Sequence, residues 1–351
     1  MHAELDDKLA DPATETGELG YDARHGDYHL LVTFALSSSG YDKLAVPGDQ
    51  RPIDLHSVPA DVLNPTNPGA GPEVPGEGDV LLHIASDDAF IAEHVLRRVE
   101  HELAAQFTVI WVQTGVQRYT TRQKASRDNQ RGIIGFLDGI ANLHTGDAPD
   151  RGLVYVDHTR TDYPANPTPD TYAGASFPLD LREPPPGPEP KECDGGSYMA
   201  VEALVVNHNW WDQQSIPTQE GITGRTKQDG EPAPNITPTS HTMKANPHRP
   251  GTDDDQRRFL RRGYPLIRPY GHGLGLGLLF IAFGRSLTTQ VEFVRRAWIN
   301  NPNFPTSGAG QDALLFGGAV NTRLLVGGYY FAPPLAKASD LTSWVVPRPQ
   351  A

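Results

Sequence analysis

The chain has 351 residues, 38% hydrophobic and 21% charged, enough for one large domain or two ordinary ones with a sizeable core. Its 35 glycines and 32 prolines argue for long structured loops rather than a helical bundle. A net charge of −13 repels phosphate backbones and speaks against nucleic-acid binding, and the single cysteine excludes a disulfide framework or a multi-Cys metal site.

Residues 1–27 are polar and acidic and show no apolar core of a secretory signal. The chain as written therefore predicts a cytoplasmic protein, with export through a removed leader left open. Residues 28–36 read as a buried strand, 37–79 as a Pro- and Gly-rich extended loop, and 80–85 as a second strand. Over 89–103, Phe90, Ile91, Val95, Leu96 and Val99 recur at helical spacing and predict a helix with one buried face. His94 and His101 on that helix lack a metalloprotease spacing and are expected in solvent. Residues 107–116 predict a third strand. The segment 145–194, with Pro184-Pro185-Pro186, predicts surface cover or a linker with local polyproline conformation.

The second half repeats this grammar. Strands are predicted at 197–206, 276–283 and 324–331, and helices at 211–222 and 288–300. Val291, Phe293, Val294, Ala297 and Trp298 supply the apolar contacts of the last helix, while Arg295 and Arg296 are expected to reach solvent. The longest apolar run, 274–283, is too short to span a bilayer, so no membrane association is expected.

Several apparent motifs fail. The glycine run 271–277 lacks the third glycine of a dinucleotide loop. Gly195-Gly196-Ser197 lacks the second glycine of a nucleophile elbow. Cys193 sits in an acidic, Pro-rich stretch where nothing lowers its pKa. Three segments can carry chemistry. Asp138 stands in Gly135-Phe136-Leu137-Asp138-Gly139, held where backbone can approach a ligand, or else simply capping its own turn. His241 stands in Ser240-His241-Thr242-Met243-Lys244-Ala245-Asn246-Pro247. Arg261 stands in Phe259-Leu260-Arg261-Arg262-Gly263-Tyr264, where paired arginines read by themselves as a solvated loop.

Together these segments resemble the dye-decolorising peroxidases, a haem-binding family. Asp138 matches the acid of G-x-x-D-G, His241 the histidine of a context similar to H-x-x-x-A-N-P, and Arg261 the arginine of FLRRGY. Residues 211–212 leading to 224–227, 277–283 and 295–304 are also similar. Ile140 departs from the family's frequent Thr, and His248 stands where Arg is common. The resemblance implies an α+β fold of two ferredoxin-like domains with antiparallel sheets: 1–145, a connecting segment 146–194, and 195–351, which mainly holds the haem.

It further implies one heme b per chain, with His241 on iron. Asp312, in Gly310-Gln311-Asp312-Ala313-Leu314, would accept the other ring N–H. Asp138 and Arg261 would act as acid–base group and charge stabiliser, and Asn142 and Phe280 would add cofactor contacts. The implied activity is reduction of hydrogen peroxide with oxidation of an organic electron donor such as a dye or phenol, through a ferryl intermediate. A haem carrier or iron-release protein is the alternative; it needs His241 but no distal acid–base pair. A structural or cargo protein with an empty pocket is a further alternative. Hydrogen peroxide and the donor are the expected partners, with a homo-oligomer left open. Trp298, Trp344, Tyr264, Tyr329 and Tyr330 are candidate electron relays, Trp298 first, and 343–347 is a candidate docking tail.

Overall fold

Strand β3 (Ser197–Val206) reads SYMAVEALVV, and nearly every side chain in it is buried. A strand apolar on both faces needs cover above and below and a partner at each edge. It pairs antiparallel with β5 (Leu276–Gly284) on one side and β6 (Val320–Ala332) on the other, and β4 (Leu260–Ile267) adds to β5. The resulting order β6-β3-β5-β4, with helices between β3 and β4 and between β5 and β6, is the β-α-β-β-α-β plan of a ferredoxin-like domain. In the first half, β1 (Leu31–Leu36) and β2 (Val80–Ala85) pair antiparallel, and β1 meets β6 at Leu36–Phe331. The fold is thus α+β, two ferredoxin-like halves with antiparallel strands. This computed structural model describes residues 30–59, 62, 77–116, 131–166, 181–267, 276–317 and 320–334.

One sheet face carries Met199, Val201, Ala203, Leu279, Ile281 and Tyr330. The other carries Tyr198, Ala200, Ala282, Tyr329 and Phe331 and is covered by Leu287 and Val291. These two belong to a wide, π-type helix, α7, made of Leu287–Glu292 and Val294–Ile299 about Phe293. Among the described residues no helix is long and apolar enough to cross a membrane.

Several expectations change. Helix α2 (Ala89–Leu103) forms as predicted, capped by the Asp88 carboxylate accepting from Phe90 N at 2.8 Å. It buries Ile91 and Val95 on Leu30, but Phe90 is 68% exposed and His94 is buried, because the packed face is centred about a third of a turn away from Phe90. Residues 107–116 do not form a strand. They run from Gly78, where a Cβ would lie 3.2 Å from Ile110, to Tyr264 on β4, and touch the ladder only at Gly115–Leu266. Crossing the sheet this way half-buries Trp111 and leaves Val109, Ile110 and Val112 exposed.

The helix expected at 211–222 is broken into α4 (His208–Trp211) and α5 (Ile216–Thr223). Pro217 lacks an N–H and so opens a helix rather than continuing one, and Ser215 caps the new start. Two helices fall where loops were expected, α1 (Ser38–Lys43) and α3 (Ala148–Val154). The stretch after α3 is no free linker either. Val156 and Gly195–Gly196 exchange two backbone hydrogen bonds of 2.8 Å.

Residues 51–58 are stitched to α7 by buried acids. Asp54 accepts from Ser286 Oγ at 2.6 Å and from Thr288 N at 3.0 Å, at the start of α7. His56 Nε2 meets Glu292 at 2.7 Å. Nearby, Glu189 accepts from Tyr198 OH at 2.5 Å and from Ile53 N at 3.0 Å. Burial pushes the Glu189 carboxyl up to about 7, the hydrogen bonds from Tyr198 and Ile53 oppose this, and Asp54 adds to it.

A carboxyl raised on folding contributes fully below its ordinary value of 4.5, and that contribution is lost as pH rises through about 7. The stability difference between Glu189→Gln and wild type should therefore grow in the variant's favour between those two values, by about 3 kcal/mol. Urea unfolding at several pH values measures it; a difference that stays constant over this window would show that Glu189 ionises normally in the folded chain.

Candidate active site

The loop carrying Asp138 depends on two left-handed residues, Gly135 (φ 84°) and Gly139 (φ 79°). A Cβ at Gly135 would also lie 2.9 Å from the Lys227 side chain. Asp138 Oδ1 accepts from Gly139 N at 2.7 Å, so the acid does cap its own turn. Its Oδ2 is turned to β4, 3.5 Å from where a Cβ of Gly263 would sit. Arg261 lies two residues before Gly263, on the same face of the strand. Across the ladder these two positions oppose Ala282 and Phe280 of β5.

Arg261 is therefore not in a solvated loop but in an edge strand, with its guanidinium Nη2 donating to Ile140 O at 2.8 Å. Pro265 is compatible with this strand because β4 is at the sheet edge. Burial pushes the guanidinium below its ordinary value. Asp138 opposes that shift, while Arg258 and Arg225 add to it. An arginine keeps its charge under such a shift. Asn142, expected to contact the cofactor, has its amide engaged elsewhere. Its Oδ1 accepts from Arg261 N at 2.9 Å and its Nδ2 donates to Arg261 O at 2.8 Å. It aligns the strand that carries Arg261.

His241 opens the five-residue helix α6 (His241–Ala245). Its Nδ1 lies 2.8 Å from Asp312 Oδ2. Asp312 is fully buried, and its Oδ1 accepts from Leu314 N and Leu315 N, both at 2.9 Å, capping α8 (Ala313–Phe316). A carboxylate in that position accepts, so Nδ1 carries the proton and Nε2 presents its lone pair. The His241 side chain is 29% exposed, so that lone pair is accessible to a ligand. His248, the nearby competitor, is exposed and paired with Asp255 at 2.9 Å.

Phe280, opposite Gly263 across the ladder, stands edge-on to Phe259 with 6.4 Å between centroids. Glu202 of β3 is Phe280's cross-strand neighbour and forms a buried ion pair with Arg295 of α7. Arg296 pairs with Glu292 at 3.7 Å. Neither arginine reaches solvent as expected, because α7 is packed on all sides. Trp298 is 1% exposed, stacked on Phe304 at 5.6 Å and edge-on to Phe293 at 5.5 Å. It is a core residue with no surface access. Tyr329 and Tyr330 are buried as well, and Tyr264 is half-buried against His83. Trp344 and the candidate tail 343–347 lie outside the described residues, as do 271–275 of the glycine run.

Burial pushes the Cys193 thiol well up, in keeping with an inert side chain. Asp157, His158 and Asp194 come within 4.8 Å of one another at the surface, an arrangement that the 3.0 Å His158–Asp194 pair accounts for. Two features escaped the sequence reading. Lys244, three residues after His241, is fully buried, and Glu202–Arg295 ties β3 to α7. A lone Glu inside an otherwise apolar strand was the available signal for the second. Chemically, the site offers an oriented imidazole with a free nitrogen, and elsewhere a carboxylate beside a half-buried guanidinium.

Two sequence families cover the chain. Dyp-type peroxidase, N-terminal matches residues 2–117, and Dyp-type peroxidase, C-terminal matches residues 129–337. A dye-decolorizing peroxidase of Mycobacterium tuberculosis is 25% identical over 326 residues, 92% of this chain and 78% of that protein. A deferrochelatase of Yersinia pestis is 25% identical over 281 residues, 74% of this chain and 56% of that protein, so the chain spans little more than half of that relative's length. Among solved structures, a Rhodococcus jostii DypB variant in complex with heme shares the fold at a TM-score of 0.59 and 19% identity, covering 87% of this chain and 79% of that one. Asp138, His241, Arg261 and Asp312 all fall inside the C-terminal match, and with both halves matched in order the chain belongs to the Dyp-type peroxidase family.

Proposed function

We propose that this chain is a haem peroxidase that reduces hydrogen peroxide and oxidises organic donors of the dye or phenol class, with one heme b per chain. The observation that carries the reading is the pairing of a ligand-ready His241, backed by Asp312, with a separate Asp138–Arg261 pair. The residues present fit a haem. His241 offers Nε2 to iron, Phe280 offers apolar surface, and Arg261 offers a half-buried cation. The heme complex of the Rhodococcus relative supports the same cofactor.

Haem, when bound, supplies the redox chemistry by which peroxide accepts electrons. The chain's own groups do the rest. The Asp312 hydrogen bond fixes the His241 tautomer and makes its ring more electron-donating. Ionised Asp138 takes a proton from one peroxide oxygen and returns it to the other, so that water can leave. Arg261 stabilises the negative charge that develops as the O–O bond breaks. Asn142 and Ile140 O hold Arg261 for this task.

A second reading, a haem carrier or iron-release protein, is favoured by the relatives named deferrochelatase. A carrier uses His241 but gives Asp138 and Arg261 no role.

Reconstitution with haem should give a Soret band in wild type and His248→Ala, whereas His241→Ala should lose it or show altered ligation. The reverse pattern rejects His241 as ligand. Asp138→Ala and Arg261→Ala should each retain haem and react with peroxide about 10²–10⁴-fold more slowly in stopped flow. If both react at the wild-type rate, the acid–base assignment is wrong and the carrier reading gains.

A further inference from the structure

We propose that Lys244 is a positioning residue of the iron side of the site: its buried ammonium sets the electrostatic field on the His241–Asp312 hydrogen bond, and through it the reduction potential of a haem iron held by His241. The inference rests on the haem reading above and deepens it.

Lys244 follows His241 by three residues in α6, so the two lie on neighbouring positions of one helix face. It is fully buried. Its Nζ donates to Asn301 O at 2.8 Å and to Phe304 O, and lies 5.7 Å from the centroid of the Phe304 ring. Among the described residues no carboxylate stands within ion-pair distance of it. A buried cation without a counter-ion is costly, and the carbonyls and ring only partly offset it.

The acid that acts on Lys244 through space is Asp312, and it acts attractively. Burial lowers the amine to about 8, so it carries its charge at neutral pH. Arg295 also feels Asp312, but Glu202 already neutralises it. Among the described residues Lys244 thus has no ion-pair partner on this side. Two carbonyls alone could be served by a neutral donor. A charge at neutral pH is the feature that a purely structural role does not need.

The sign of the effect follows from Coulomb's law at low dielectric. A positive charge near the His241–Asp312 pair opposes the ferric state more than the ferrous one. Removing it should favour the ferric iron and lower the potential. The hydrogen bond would also strengthen, because Asp312 loses a competing cation, and a stronger bond makes the imidazole more donating, in the same direction.

The test compares two substitutions in the full-length, haem-reconstituted chain. Lys244→Gln keeps a donor for the carbonyls but loses the charge. Lys244→Met keeps the stem and loses both. A spectroscopic redox titration should place both variants at a more negative iron potential than wild type, with a Soret band and haem uptake unchanged. A wild-type potential in both variants, or a shift confined to Lys244→Met, overturns the proposal, since only the scaffold would then matter. If Lys244→Met fails to fold, Lys244→Gln decides. Wild-type protein that takes up no haem overturns the haem reading and this inference together, whereas haem-loaded variants with unshifted potentials overturn this inference alone.

Discussion

One buried carboxylate organises the His241 side of this molecule. Asp312 has no contact with solvent and three N–H donors on its two oxygens: the amides of Leu314 and Leu315 and the ring of His241. In a low-dielectric interior such bonds are strong, and an unpaired charge there would be costly. The same group therefore starts α8, orients α6, and selects the tautomer that leaves Nε2 available. No single one of these helices could do so alone. Helices of four and five residues are unstable in isolation and exist here because tertiary contacts set them. Ala245 of α6, Leu315 of α8 and Phe304 share one apolar cluster with Phe293 and Trp298 of α7.

The opposite group is built differently. Asp138 and Arg261 sit on a glycine-hinged loop and an edge strand, both able to shift if left free. Asn142 removes that freedom by bonding the backbone of Arg261 through both ends of its amide. The 224–232 loop adds a second clamp. A Cβ at Gly230 would collide with Ile140, and Arg131 reaches the carbonyls of Gly135 and Gln228. The Asp138 carboxylate packs over Gly263, 3.5 Å from where a Cβ would sit. These contacts hold the Asp138 loop and the Arg261 strand in one arrangement.

Patterns with a strong local period were legible in the sequence. Strands β3 and β5 are runs of apolar residues too dense for a surface element, and α2 shows helical spacing with an Asp cap. Strand β4 was hidden, because adjacent arginines and Pro265 do not resemble a strand until its edge position is known. Residues 107–116 misled for the opposite reason. Their apolar run fits a ladder, yet they cross the sheet and meet it at one point. In α7, burial on every side removed the polar face that Arg295 and Arg296 were expected to form; Glu202 and Glu292, distant and near in sequence, neutralise them instead.

By itself the sequence determined the chemistry on offer and its order along the chain: an acid between glycines, a histidine before A-N-P, an arginine in FLRRGY, and a later acid. Those are properties of residue types and of short spacing, which survive without a fold. Only the tertiary structure decided what each group does with its atoms. It gave the Nδ1 proton of His241 to an acid 71 residues away, and spent the amide of Asn142 on a backbone 119 residues away. It also enclosed Trp298 in aromatic packing and buried Lys244 against two backbone carbonyls. Hydrogen-bond direction and desolvation depend on which distant elements are brought within a few ångströms, and no local spacing encodes that.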